Sequence, residues 1–245
     1  MVRQFPDALK LYDRVLDIMP NNSDIMPEKA SIYQAQGNLK EAARLLSEIN
    51  EQTPNETILG IKITQLRLER NYREAVQLFQ ARPTQFHFDS DSEKAFDQLA
   101  FALVQRLAGN TASAKITAER ARNTLEQLCR DQPDDANLAG MLSQANAALG
   151  EKDSALKEAE RAIMLLPSAK NAVDGPAMEE NLAVIQTMFG ENSSAILTLT
   201  LLLRTPGRGW LRDTPITPAL LRLDPIWDSL RSDQRFQKLC EEKRP

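Results

Sequence analysis

The stretch "GNLKEA" at residues 37–42 decides the fold, because the chain writes it again with small changes: "RNYREA" at 70–75, "GNTASA" at 109–114, "GEKDSA" at 150–155 and "GENSSA" at 190–195. Aligned on the last letter, the copies put Ala42, Ala75, Ala114, Ala155 and Ala195 in one register, and "QFPDA" adds a degenerate first copy at Ala8. Successive gaps are 34, 33, 39, 41 and 40 residues. Four residues beyond each alanine stands Tyr12, Leu46, Phe79, Ala118, Ala159 or Leu199, and the copies close on Pro20, Pro54, Pro83, Pro133, Pro167 and Pro206. A period of this length marks one supersecondary unit stacked many times.

Upstream of the alanines, "DIMPEKASIYQAQ" (24–36), "KAFDQLAFALVQRLA" (94–108) and "ANLAGMLSQANAAL" (136–149) space their apolar residues three and four apart, which is helical periodicity. The glycine that opens the phrase, Gly37, Gly109, Gly150 or Gly190, falls just past that helix, where a left-handed cap is easiest without a side chain. The alanine then lies in the first turn of a second helix. Its methyl group lets two helix axes approach toward the lower end of about 8–10 Å. Composition agrees: 42% apolar and 26% charged residues exclude a disordered chain, and 5% aromatics with only 9 glycines in 245 residues leave a diet suited to helices. The expected fold is an all-α solenoid of antiparallel helix pairs.

With these residues in hand the chain resembles the tetratricopeptide repeat (TPR) family, whose pattern asks for a Leu-Gly pair and Tyr in the first helix, then Ala, a large apolar residue and Pro. Residues 23–56 carry the best copy, in Ala30, Tyr33, Gly37, Ala42, Leu46 and Pro54. The tryptophan of the family's first helix is replaced by Met26, Leu59, Gln98, Ala139 and Glu179, so the resemblance rests on the register of all copies, over about residues 5–206. It implies a right-handed superhelix. The expected divisions are a partial repeat over 1–22 (second helix only), repeats over 23–56, 57–90 (degenerate, with a loop), 91–135 (long), 136–169 and 170–206, and a Pro/Trp-rich C-terminal cap over 207–245. "LEQLCRDQP" at 125–133 reads as a helix continuing about two turns past the usual end.

The two ends differ. The residues before Phe5 are too few for a first helix, so the chain reads as cut from something longer, or else the lone helix is a terminal cap. In either case Leu9, Tyr12, Leu16 and Met19 are expected to face water, and residues 5–19 become a candidate self-association surface. After Pro206, prolines 215, 218 and 225 break any long helix, while Trp210, Trp227 and Phe236 offer area to cover the last apolar face. "SDQRFQKLC" (232–240) reads as a final helix with Phe236, Leu239 and Cys240 on one side. The phrase at 221–239 resembles the closing segment of TPR arrays in bacterial multidomain signalling proteins, behind kinase, nucleotide-cyclase or winged-helix domains. That implies a cytoplasmic setting and a catalytic or DNA-binding domain upstream.

Catalytic groups are scarce. His87 is the only histidine, and Asp89, Asp91 and Glu93 beside it lack the turn glycine and glutamate spacing of a calcium loop. They read as a polar loop whose Ser and Asp cap the next helix. Cys129 and Cys240 are far apart and outside any CxxC. "TPGRGW" (205–210) lacks phosphate-loop spacing and reads as a turn. A net charge of -4 carries no polybasic footprint, which argues against direct nucleic-acid binding, and "AILTLTLLL" (195–203) is too short to span a bilayer. No enzyme, metal or cofactor is expected.

The resemblance instead implies a partner segment laid along the first helices. Its expected groove residues are Ser31, Gln34, Thr64, Arg67, Leu103, Arg106, Leu107, Gln144, Ala148 and Val184. Arg67 and Arg106 are expected to meet a carboxylate, and Leu103 with Leu107 to offer an apolar patch or to be inter-repeat core. The expected function is therefore a non-catalytic scaffold that binds a peptide or protein segment, as the docking region of a larger bacterial signalling protein. The alternative is an oligomerisation module using the first helix.

Overall fold

The computed structural model describes residues 4–20, 22–49, 56–81, 88–212 and 214–241; Pro54, Pro83 and His87 lie outside them. A single helix, α1 (Phe5–Ile18), precedes five helix pairs: α2 (Ile25–Gln36) with α3 (Leu39–Glu48), α4 (Glu56–Leu68) with α5 (Tyr72–Ala81), α6 (Asp91–Leu107) with α7 (Thr111–Asp131), α8 (Ala136–Leu149) with α9 (Lys152–Leu165), and α10 (Gly175–Met188) with α11 (Asn192–Leu202). An irregular stretch then leads to α12 (Pro218–Leu223), a 3-10 turn (Pro225–Leu230) and α13 (Gln234–Glu241). The described residues contain no strand.

The repeated phrase acts as its chemistry requires. Ala42, Ala75, Ala155 and Ala195 are fully buried and Ala114 nearly so, each at a crossing of the two helices of its unit. Ala8, in the degenerate first copy, is only half-buried. Gly37, Gly109, Gly150 and Gly190 all take positive φ, between 75 and 91°. Arg70, which replaces the glycine in the second full copy, adopts the same left-handed conformation at φ 61°. A side chain there costs roughly 1 kcal/mol, so something must favour arginine at this position.

The chain also stacks in order: α2 packs on α4, α6 on α8, and α8 on α10. At the long third unit, α7 runs on to Asp131 and buries Leu125 and Cys129 against α8. Before α6, the Ser90 hydroxyl accepts the Glu93 N–H while the Glu93 carboxylate accepts the Asp89 N–H, a reciprocal cap on the helix start.

The C-terminal segment departs from expectation. It does cover the last repeat: Ile216, Leu221, Ile226, Trp227, Leu230, Phe236 and Leu239 form one core with Val184, Leu199, Leu202 and Leu203. It then continues across the inner face to the other end of the stack. The Thr217 hydroxyl donates to the Ala35 carbonyl at 2.5 Å, and Leu220 packs with Ala35 and Leu68. Gly37 lies so close to α12 that a Cβ on it would sit 3.1 Å from the Ala219 Cβ. The segment is both a cap and a brace. Large aromatic and leucine side chains on both of its faces need two apolar walls, and only the first and last repeats together supply them.

Candidate functional site

The first helices α2, α4, α6, α8 and α10 form the inner face, and their two halves have different fates. The C-terminal halves are roofed by the chain's own C-terminal segment. At the centre of that roof lies a buried ionic network. Arg67 of α4 donates to Asp224 at 3.1 Å, and Arg212 donates to Glu180 of α10 at 2.6 Å while standing 3.8 Å from Asp224. The Trp210 backbone N–H also donates to Glu180, at 3.1 Å. All four charged side chains are under a tenth exposed. Burial pulls the Arg67 guanidinium below the usual arginine range, with Asp224 opposing. Two cations and two anions cancel, which is what lets charge sit at this depth.

At the edge of the roof, Arg70 makes a two-pronged bond to Asp228 at 2.6 and 2.7 Å. This contact accounts for arginine at a strained glycine position: the left-handed turn aims the guanidinium at the 3-10 turn. The Arg70 hydrogen bonds hold the Asp228 carboxyl below its ordinary 3.8.

The N-terminal turns of α4, α6, α8 and α10, joined by Thr64, Arg67, Leu103, Val104 and Gln144 further along, line a partly open cavity of about 660 Å³. Its walls are apolar at Ile63, Phe79, Leu99, Met141 and Met178, and Trp210 and Leu211 of the C-terminal segment close one side. The Trp210 indole packs closely on α8 because residue 140 is glycine; a Cβ there would stand 2.7 Å from the ring. Phe96 reaches the wall while 48% exposed, an uncovered aromatic ring beside an apolar hollow. Gly60 of α4 also lines the cavity, with open space where its Cβ would be.

Of the residues named from sequence, Thr64, Arg67, Leu103 and Gln144 meet in this cavity. The others do not. Ser31 bonds the Glu28 carbonyl, and Gln34 is buried between helices, donating to the Ile61 carbonyl and to Gln65. Val184 is core beneath the C-terminal segment, while Leu107 and Ala148 are half-buried away from the cavity. Arg106 is largely buried without an ion-pair partner among the described residues, and burial lowers its pKa. Arg67 was expected as an exposed groove cation for a partner's carboxylate; it is instead buried against Asp224 of its own chain. Gln144 is tied to Asn181 at 2.7 Å.

The residues missed lie on the same helix faces one or two turns earlier: Gly60 before Thr64, Phe96 before Leu103, Asn137 and Met141 before Gln144. Periodicity places four of the ten named residues on the cavity wall. It carries no sign that half of that face is covered. Among the described residues no group of three or more His, Cys, Asp or Glu is placed to hold a metal ion, and Cys129 and Cys240 are buried free thiols.

The family model described as tetratricopeptide repeat matches residues 3–61, from α1 into α4. Over those residues the chain is similar to tetratricopeptide repeats. Similar solved structures include a tetratricopeptide repeat protein from Parabacteroides merdae, 14% identical over 98% of this chain and 88% of that one, with a TM-score of 0.47. Another is the APC/C hetero-tetramer Cut9–Hcn1, 16% identical over 98% of this chain and 53% of that one, with a TM-score of 0.36. No curated protein matches. Tetratricopeptide repeats in general mediate contacts between proteins. No described helix here is long and apolar enough to cross a membrane.

Proposed function

We propose that the chain is a non-catalytic interaction scaffold that receives a peptide or protein segment in the open half of its inner face. The observation that carries this reading is the cavity itself: largely apolar walls from four successive first helices, next to a part of the same inner face that the chain covers with its own C-terminal segment. A space of this size between helices suits side chains of an incoming segment. A role as the docking region of a larger bacterial signalling protein rests on the resemblance of residues 221–239 alone. A cytoplasmic setting fits two buried, unpaired thiols.

Gly60 provides a test that spares the fold. Gly60→Trp projects an indole into the cavity from a helical position with no neighbour within 4 Å. Peptides selected from a displayed random library on the whole chain are expected to lose binding to Gly60→Trp, with melting temperature unchanged. No selected peptide at all, or peptides that bind both proteins equally, would refute the placement.

A second reading, self-association, has its own observation. Leu11 and Ile18 of α1 and the following Met19 are 59, 81 and 50% exposed, although Leu9, Tyr12 and Leu16, also expected to face water, are half-buried. Concentration-dependent sedimentation abolished by Leu11→Glu with Ile18→Glu is the expected result of this reading. A monomer at every concentration would dismiss it.

A further inference from the structure

The brace crosses a weak joint in the stack. Among the described helices, α2 packs on α4, α6 on α8 and α8 on α10, but α4 and α6 make no comparable approach. That joint is closed instead by α5 on α6, where the Phe79 ring stacks on Phe101 at 5.0 Å and Val104 joins Ile63 and Leu66 in one apolar cluster. It divides the stack into two bodies, α1–α5 and α6–α11, and a stack held by neighbour contacts yields first where those contacts are thinnest. The C-terminal segment grips the two bodies unequally. On α6–α11 the grip is deep: Trp227, Leu230 and Phe236 are almost completely buried in one core with Val184, Leu199 and Leu202. On α1–α5 it is narrower. Leu220 meets Ala35 and Leu68, flanked by Phe5 and Leu39, the Thr217 hydroxyl donates to the Ala35 carbonyl, and Arg67 and Arg70 pair with Asp224 and Asp228. A buried ion pair roughly breaks even against the hydration it gives up, and an exposed one adds little. Helix α12 itself is tied to the deep grip, since it packs on α13 and Arg222 donates to the Cys240 carbonyl.

We propose that the C-terminal segment is a strap that sets the angle between the two bodies. It stays on α6–α11 and lets go of α1–α5 at Leu220, Asp224 and Asp228, so that the stack opens as a hinge at the joint between α4 and α6. Thr64 and Arg67 stand on one side of that joint and Leu103 and Val104 on the other, all four on the cavity wall. Release therefore widens the cavity and frees Arg67 from Asp224. The strap goes beyond the reading of the cavity as a binding place and does not depend on it.

The experiment measures the separation of the two bodies in the intact chain. Spin labels on Lys40→Cys of α3 and Lys157→Cys of α9, both exposed positions, place one probe on each body, while the native Cys129 and Cys240 are buried. Pulsed dipolar spectroscopy should give one narrow distance in the otherwise unchanged chain. Adding Leu220→Asp with Arg70→Ala, which spoils the narrow grip, should shift that distance longer and broaden it while helicity is kept. Leu230→Ala, which weakens the deep grip instead, should lower the melting temperature and leave the distance where it was. An unchanged narrow distance in a helical Leu220→Asp, Arg70→Ala chain would overturn the proposal, because the two bodies would then be one rigid stack. Equal lengthening in Leu230→Ala would overturn it too, by showing general loosening rather than release at one end. Should Leu220→Asp lose helicity, Leu220→Ala with Arg70→Ala takes its place, with a smaller lengthening expected and an unchanged distance counting against the strap.

Discussion

The two ends of the molecule flank the same stack and meet opposite fates. Helix α1 has no buried residue and leaves Ile18 81% exposed, whereas the C-terminal segment buries Trp227, Leu220, Leu221, Leu230 and Phe236 almost completely. Both are short and amphipathic. The difference is in what each can reach. α1 packs mainly on α2, with Leu16 on the cluster that α2 shares with α3 and only Phe5 reaching the cluster around Leu220. The C-terminal segment is long enough, through its irregular stretch, to touch α10 and α11 at one end and α2 and α4 at the other. A repeat stack is held by neighbour contacts alone, and a segment that joins its two ends adds contacts with very long sequence separation. The lesson is that the inner face is not a uniform groove; its shape and charge are set by what folds over it.

That contrast can be broken by mutation. The largest effect is expected from Trp227→Ala, in the upper part of about 3–5 kcal/mol, because it empties the centre of the core beneath the last repeat; chemical denaturation measures it. Asp224→Ala should cost somewhat less, near the lower end of about 3–5 kcal/mol, since it leaves Arg67 buried without its partner while Arg212 keeps Glu180. The pair Arg67→Met with Asp224→Leu should recover much of that loss; a double variant as unstable as Asp224→Ala would mean that Asp224 acts by capping the 3-10 turn, where it accepts the Ile226 N–H, and not through charge.

Acid provides a finer probe of the brace. Because the folded-state pKa of Asp228 is lowered, its contribution is present above its ordinary 3.8 and lost as pH falls below that value. Asp228→Asn should therefore lower stability slightly at neutral pH and flatten the decline on the acid side. The effect is small, because both partners are over two-fifths exposed. Smallest of all, Ile18→Ser on α1 should change stability by less than about 0.5 kcal/mol, as a surface site does. A larger change would show that α1 has a covering partner in solution and would erase the contrast between the ends.

How far the sequence could be read follows the same division. Ala42, Ala75, Ala114, Ala155 and Ala195 were legible as helix crossings, since a small side chain at fixed spacing has one physical use in a stacked helix pair. The capping glycines were legible because positive φ is nearly theirs alone. Even Arg70, which breaks that rule, sits where the phrase puts it. The cavity was half legible: its helix faces followed from periodicity, and Thr64, Arg67, Leu103 and Gln144 are on them. Phe96, Gly60 and Trp210 were not, because nothing local distinguishes the covered turns from the open ones.

The amino-acid sequence by itself determined the helix pairs, their turns and their order, because each depends on contacts within some tens of residues that recur in register. Only the tertiary structure decided which part of the inner face is covered and that Arg67 is neutralised there by the chain's own Asp224. Those depend on Arg67 meeting Asp224 and on Ala35 meeting Thr217, pairs separated by more than 150 residues, for which no local pattern exists.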